Sequence, residues 1–155
     1  MGKLRDKLIK KPLSEIVVLM GGDFHAEHSA KANNLKGYRQ GCLVVDTLVQ
    51  KVAEKKPDIV IINGDLFDEH GHLESSLAVE VQERFFEIAK NCVVIFVAGN
   101  HDYPSVKDQF FGKSTLTALF AGYQDNDIYV VDAKTFPKQN TLFTDFRAIL
   151  TRCRR

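Results

Sequence analysis

The sequence predicts an α/β fold with a parallel sheet, and three observations favour this class. Short apolar runs recur along the chain, stretches with helical spacing separate them, and three of the runs end abruptly in polar residues. Strands and helices in alternation are the pattern of a parallel sheet with right-handed crossovers. The loops beyond the carboxyl ends of such strands converge on one crevice. We therefore expect the polar residues at the ends of the three runs to meet in space.

The most informative run covers residues 59–62, where four β-branched residues follow one another. The run is too short for a helix and too continuous for a half-exposed strand, so it predicts a central strand covered on both faces. Gly64 allows a sharp turn that leaves Asp65 at the edge of the sheet. Runs over residues 16–20 and 93–97 end in the same way, in the segments Gly21-Gly22-Asp23-Phe24-His25 and Ala98-Gly99-Asn100-His101-Asp102.

Two amphipathic helices are predicted between these strands, because apolar residues recur there at helical spacing. The first is marked by Tyr38, Cys42, Val45, Val49 and Val52 and should end before Pro57; the second is marked by Leu73, Leu77, Val81, Phe85 and Ile88 and should end near Asn91. Beyond Asp102 the sequence predicts a short helix over residues 114–121, with Ser114 as its N-cap, and a fourth strand over residues 128–131.

Composition and length favour one soluble domain. A chain of 155 residues with 45% hydrophobic and 26% charged residues has the ordinary globular balance and enough length for a sizeable core. The formal net charge of +1 predicts no global attraction to nucleic acid, which would have to be recognised through local patches. No apolar run approaches the roughly 20 residues that span a bilayer, and three widely spaced cysteines form no disulfide or zinc pattern. We expect no membrane contact and a reducing, cytoplasmic location.

Three segments are expected along the chain. Residues 1–14 form a basic leader, which we expect to be solvated, with binding to phosphate as the alternative. Residues 15–134 carry the predicted strands and helices. For residues 135–155 the sequence predicts no helix or strand, and we expect a disordered or aberrant tail.

The residues at the strand ends offer the chemistry of a metal site. Carboxylate, imidazole and amide oxygen form a mixed set that suits divalent manganese, iron or zinc, and the candidate donors are Asp23, His25, Asp65 and Asn100. A carboxylate such as Asp65 can bridge two cations, and such a pair can bind the non-bridging oxygens of a phosphoryl group and activate water. His101 is placed to protonate the departing alkoxide, and Asp102 to fix its tautomer and raise its pKa.

The same segments resemble the first three signature blocks of the calcineurin-like metallophosphoesterases. The matching motifs are Asp23-x-His25, Gly64-Asp65-x-x-Asp68 and Gly99-Asn100-His101-Asp102, in the family's order and each after an apolar strand. Each motif alone is a common loop or turn, and only their joint order favours a site. The resemblance implies a β-sandwich flanked by helices, of which this chain holds roughly the first βαβαβ half. It also implies two divalent ions, expected to be Mn²⁺, with Fe²⁺ and Zn²⁺ as alternatives.

The resemblance also implies a role for each matching residue. Asp23 and His25 would be ligands of one metal, Asp65 the bridge and Asn100 a ligand of the other metal. His101 would stabilise or protonate the leaving oxygen, while Asp68 and Asp102 would be supporting carboxylates that hold the loop and the imidazole.

One part of the family pattern is not matched. It continues with a further histidine and a Gly-His-x-His block, whereas no histidine follows His101, and His70-Gly71-His72 stands after the wrong motif to substitute. We therefore expect an N-terminal fragment, from a truncated or frameshifted reading frame or from a split protein. Half a sandwich would leave one face of its sheet uncovered.

A finer resemblance concerns the substrate. The segments Gly64-Asp-Leu-Phe-Asp68, Gly99-Asn-His-Asp102 and Lys113-Ser-Thr-Leu116 are similar to SbcD-like nuclease subunits of double-strand-break repair and their phage recombination relatives. This resemblance implies DNA as substrate, a homodimer, an ATPase partner subunit and, for a phage protein, the host cytoplasm. Two alternatives stay open, a phosphodiesterase or nucleotidase for small substrates and a non-catalytic fragment or interaction domain.

Overall fold

The computed structural model describes residues 3–26, 35–68, 73–111, 114–120, 122–123 and 126–132. Their centre is a four-stranded sheet in the order β1-β2-β3-β4, in which all neighbouring strands are parallel. The strands are β1 (Val18–Gly21), β2 (Ile59–Asn63), β3 (Val93–Val97) and β4 (Ile128–Val131). The predicted parallel α/β sheet is thus confirmed.

The predicted central strand is also confirmed. In β2 the side chains of Ile59, Val60 and Ile62 are fully buried, and Ile61 is 8% exposed. Strand β2 pairs with β1 on one side and β3 on the other, so apolar side chains on both of its faces are covered. This position fixes Gly64 and Asp65, which follow directly, at the middle of the sheet's carboxyl edge.

Three helices cover one face of the sheet: α2 (Leu35–Lys55), α3 (Ser75–Ala89) and α5 (Thr115–Phe120). The first two lie where helical spacing predicted them. Phe96 of β3 stacks on Phe120 with ring centroids 4.5 Å apart and meets the edge of Phe85 at 4.7 Å. The predicted N-cap is confirmed, because the Thr117 amide donates to Ser114 Oγ at 3.1 Å.

Lys7 and Lys10 of the basic leader are exposed, as a solvated segment requires, but its apolar residues are not all in solvent. Lys3–Lys10 form helix α1, followed by a 3₁₀ turn at Leu13–Glu15. Leu8 of α1 is only 4% exposed and packs, with Leu4, on the second face of the sheet beside Ile59 and Ile61. This contact also covers part of the face that half a sandwich was expected to leave bare, although Val18 and Met20 on the edge strand remain 41% and 53% exposed.

Several predictions concern residues that are not described. The chain beyond residue 132, His28, His70 and His72 lie outside the described residues, as do the side chain of Cys42 and all of Cys153. Cys92 is buried and free, and burial raises the pKa of its thiol to about 12. A helix α4 (Val106–Phe111), which the sequence did not predict, precedes α5. Among the described helices, none combines the length and the apolar character that crossing a membrane requires.

Asp58 anchors the N-terminal segment to the sheet. Its Oδ2 accepts hydrogen bonds from Lys11 Nζ at 2.7 Å and from the Val17 amide at 2.8 Å. Burial is the largest single influence and raises the pKa of Asp58, but the bonds from Lys11 and Val17 together outweigh it and lower the pKa below its ordinary value of 3.8.

We expect Asp58→Asn to lower the free energy of unfolding by about 1–2 kcal/mol at pH 7, since charge-assisted hydrogen bonds are lost. Because the pKa is lowered on folding, the stabilisation is present above pH 3.8 and is lost as the pH falls through the folded-state pKa. Urea unfolding at pH 7 and pH 3 measures this. Glu54→Gln, in an exposed helix pair with Lys51, is the control and should lower the free energy of unfolding far less than Asp58→Asn does, because exposed ion pairs stabilise little. If Asp58→Asn lowered the free energy of unfolding by the same amount at both pH values, the stabilisation could not be ascribed to the ionised Asp58 carboxylate.

Candidate metal centre

The loops that follow β1 and β2 run side by side at the carboxyl edge of the sheet. An isolated parallel bridge pairs Ala26 with Phe67, so the two loops stay in register beyond the strands. The main-chain bonds that hold the loops together run from Asp23 N to Gly64 O (3.2 Å), from His25 N to Asp65 O (3.0 Å) and from Ala26 N to Leu66 O (2.9 Å).

This pairing gathers three of the predicted ligands. One donor atom each from Asp23, His25 and Asp65 lies within 4.8 Å of the other two. These residues also share an unusual backbone, with φ of 53°, 44° and 49° in the left-handed region. Non-glycine residues are held there at a cost, and such strain concentrates at functional sites. We call Asp23, His25 and Asp65 the rim set.

Two glycines allow the rim set to form. Gly64 has φ of 79°, which turns the chain sharply between β2 and Asp65. Gly99 lies directly against Asp65, because a Cβ at Gly99 would stand 2.3 Å from Asp65 Oδ1 and 2.5 Å from the Asp65 amide nitrogen. Only a residue without a side chain permits this approach between the second and third loops.

The third loop, after β3, is fixed to the second by two carboxylates. The His101 amide donates to Asp65 Oδ1 at 2.8 Å, which orients the predicted bridging group. Asp102 is fully buried; its Oδ2 accepts from the Gly99 amide at 2.9 Å and its Oδ1 from the Leu66 amide at 3.0 Å. Burial raises the pKa of Asp102, although these backbone bonds act in the opposite direction.

Asn100 sits in this frame between two tethered neighbours. Asn100 is exposed in the turn between Gly99 and His101. The Gly99 amide donates to Asp102, and the His101 amide donates to Asp65. The turn thus carries Asn100 next to the residue that binds the predicted bridging carboxylate.

Asp68 links the two histidines. Its Oδ1 lies 2.7 Å from His25 Nδ1, and its main-chain carbonyl lies 2.8 Å from His101 Nδ1. The rings of His25 and His101 meet edge to face, with centroids 4.9 Å apart. The hydrogen bond to the Asp68 carbonyl is the main cause of a raised pKa of His101, helped by the charges of Asp65, Asp68 and Asp102 and opposed by burial.

These contacts assign one predicted role to a different residue. Asp102 was predicted to fix the tautomer of His101, whereas the structure gives this role to the Asp68 carbonyl, which accepts from Nδ1–H. The charge of Asp102 contributes to the raised pKa of His101, as predicted, but as the smallest of the causes. Asp102 itself holds backbone amides and is therefore a positioning residue.

A fourth strand end also supports the site, and the sequence interpretation missed it. Asp132 follows β4 and is largely buried, and its Oδ2 accepts from Thr117 Oγ1 of α5 at 2.6 Å. The Thr115 amide of the same helix donates to the Asp102 carbonyl at 2.7 Å. An aspartate directly after an apolar run was the available signal, as at the other strand ends.

Comparison with protein families shows which family the chain belongs to. The sequence profile of the calcineurin-like phosphoesterases matches residues 11–148. The chain belongs to this family. Membership agrees with the parallel sheet flanked by helices and supports a metal-dependent phosphoester hydrolase. Divalent metal ions are therefore implied for the calcineurin-like phosphoesterase site, although their identity is not.

The rim set fits such an ion. Two carboxylates and one imidazole are ligands of divalent metals such as manganese, iron and zinc, and one donor atom of each lies within 4.8 Å of the other two. The hydrogen bonds between Asp68 and His25 and between the His101 amide and Asp65 are of the kind that orients ligands in metal proteins.

Proposed function

We propose that this calcineurin-like phosphoesterase hydrolyses phosphodiester bonds of DNA with Mn²⁺ as its cofactor. The observation that carries the hydrolytic part is the rim set, whose donor atoms lie within 4.8 Å of one another at the ends of two paired loops. DNA as substrate, the homodimer and the ATPase partner are supported by the resemblance to SbcD-like nucleases alone. Mn²⁺ is supported by the oxygen-rich donors.

The residues of the site divide the chemistry between them. Asp23, His25 and Asp65 would hold one divalent ion, and Asp65 and Asn100 would offer oxygens to a second. Such ions supply Lewis-acid stabilisation of the phosphoryl oxygens. His101, whose Nδ1 is engaged by the Asp68 carbonyl, would present Nε2 to the leaving oxygen and donate the proton that the departing alkoxide requires.

The exposure of the rim favours a large substrate. Asp23 and Asn100 are exposed, and His25 and Asp68 each leave more than a third of their side chain accessible. A described cavity of about 460 Å³ lies elsewhere, at the amino end of the sheet, where Val52 and Pro57 line it together with Asn91. A phosphodiester in a polymer can approach an open rim without entering a closed pocket.

Hydrolysis of bis-p-nitrophenyl phosphate and of labelled DNA, each with added Mn²⁺, tests the proposal. We expect Asp65→Asn to lower both rates by at least about 100-fold, since a ligand charge and the acceptor of the His101 amide are changed together. Glu83→Gln, an exposed carboxylate on α3, is the control and should keep the wild-type rate.

Each other outcome selects an alternative. Cleavage of the small diester without cleavage of DNA would favour a phosphodiesterase or nucleotidase. Equal rates for wild type and Asp65→Asn would overturn the proposed hydrolytic site. Absence of hydrolysis in the wild type at every Mn²⁺ concentration would favour a non-catalytic interaction domain.

A further inference from the structure

A second group of donors overlaps the rim set. One donor atom each from His25, Asp68 and His101 lies within 4.8 Å of the other two. The two groups share His25 and differ in everything else, since the rim set adds two carboxylates and the second group adds one carboxylate and one imidazole. We call His25, Asp68 and His101 the histidine set.

We propose that the histidine set is a separate binding site for a nitrogen-preferring divalent ion such as Zn²⁺, and that it competes with the rim set for His25. Imidazole ligands suit zinc, copper and nickel, whereas carboxylate-rich sets suit manganese and magnesium. One chain would therefore sort ions between two overlapping positions according to the donors each ion prefers.

The spacing of the histidine set supports this assignment. Asp68 Oδ1 lies 2.7 Å from His25 Nδ1 and 4.0 Å from His101 Nδ1. Ligands around a tetrahedral zinc ion with bonds of about 2.1 Å are roughly 3.4 Å apart, a separation that these two distances bracket. Binding through His101 Nδ1 would replace its hydrogen bond to the Asp68 carbonyl, so the ring needs little movement but a change of partner.

Competition follows from the chemistry of imidazole. A neutral histidine presents one lone pair, because its other ring nitrogen carries a proton. His25 therefore serves one set at a time, either the rim set or the histidine set. The structure already engages His25 Nδ1 with Asp68, the carboxylate that belongs only to the histidine set.

One consequence rests on the proposed function. An ion in the histidine set removes His25 from the rim set, so Zn²⁺ would inhibit a Mn²⁺-dependent hydrolase. Binding and competition do not depend on hydrolysis, and they are measured without it.

The experiment titrates the full chain with each ion separately. Mn²⁺ binding is measured as the loss of the electron paramagnetic resonance signal of the free ion, and Zn²⁺ binding is measured by calorimetry. We expect Asp23→Asn to weaken Mn²⁺ binding at least 10-fold and to change Zn²⁺ binding less than 2-fold. His101→Ala should do the reverse. In the wild type, Zn²⁺ should release bound Mn²⁺.

Chemical modification provides a readout that needs no variant. Zn²⁺ should protect both His25 and His101 from diethyl pyrocarbonate, as mapped by mass spectrometry, whereas Mn²⁺ should protect His25 more than His101. The inference is overturned if Asp23→Asn weakens the binding of both ions or if His101→Ala leaves Zn²⁺ binding unchanged. It is also overturned if the wild type binds Mn²⁺ and Zn²⁺ at the same time. If these binding results are obtained but the protein does not hydrolyse phosphodiesters, the proposed function is contradicted and the second metal site is still supported.

Discussion

Gly99→Ala is expected to lower Mn²⁺-dependent hydrolysis at least about 100-fold and to weaken Mn²⁺ binding by about 10–100-fold. A Cβ at this position would overlap Asp65 at its carboxylate and also at its main-chain nitrogen, 2.5 Å away, which cannot rotate aside. The second and third loops must separate, and the bond from the His101 amide to Asp65 is lost with that movement. Hydrolysis of bis-p-nitrophenyl phosphate and Mn²⁺ titration measure the effect.

The fold should tolerate the same substitution. Overpacking costs about 1–3 kcal/mol, and each kcal/mol lowers the melting temperature of a chain of this size by about 2–4 °C. Gly122→Ala is the matched control, because a Cβ there meets nothing within 4 Å. A Gly99→Ala protein with wild-type metal affinity would show that contact between the two loops does not position Asp65.

The strands and the convergence of their ends could be predicted from the sequence because both depend on local patterns. Four β-branched residues in β2 have no stable alternative to a strand buried on both faces. A parallel sheet then places the segments after β1, β2 and β3 at one edge, so the meeting of Asp23, His25 and Asp65 follows from topology. Helices α2 and α3 could also be predicted, since each is long and its apolar residues recur at helical spacing.

Helix α1 could not be predicted in the same way because its stability is not local. It has eight residues, fewer than an isolated helix needs in water, and several are cationic. Leu8 becomes buried only against the finished sheet, and the Leu4 amide donates to Asp127 Oδ2, which lies 123 positions away in the chain. Sequence spacing reports neither contact.

The details of the site depend on backbone atoms, which motifs do not specify. The letters of the Gly64-Asp65-x-x-Asp68 motif identify a carboxylate, but the group that holds His101 is the main-chain carbonyl of Asp68. Three residues before it, Asp65 adopts a left-handed backbone and lies directly against Gly99. The division of roles between Asp68 and Asp102 therefore became visible only in three dimensions.

Asp102→Ala is expected to lower the free energy of unfolding by at least about 3 kcal/mol, since it leaves buried backbone amides of two loops without an acceptor. Those amides belong to Gly99, Leu66 and Phe67, at 2.9, 3.0 and 3.4 Å from the carboxylate. Asp102→Asn retains one acceptor oxygen but turns an NH₂ group toward an amide donor, so a loss of about 1–3 kcal/mol is expected. Urea unfolding measures both, and Glu83→Gln, an exposed carboxylate on α3, is the control.

The pH dependence of the same variants separates burial of a charge from simple loss of contacts. Burial raises the pKa of Asp102 above its ordinary value of 3.8, so its contribution to stability is complete below pH 3.8 and falls as the pH rises through the folded-state pKa. Asp102→Asn does not titrate, and the stability gap between it and the wild type should therefore narrow from acidic to neutral pH. A gap that widens with pH would mean that the amide bonds outweigh desolvation and that the ionised carboxylate is the form the loops prefer.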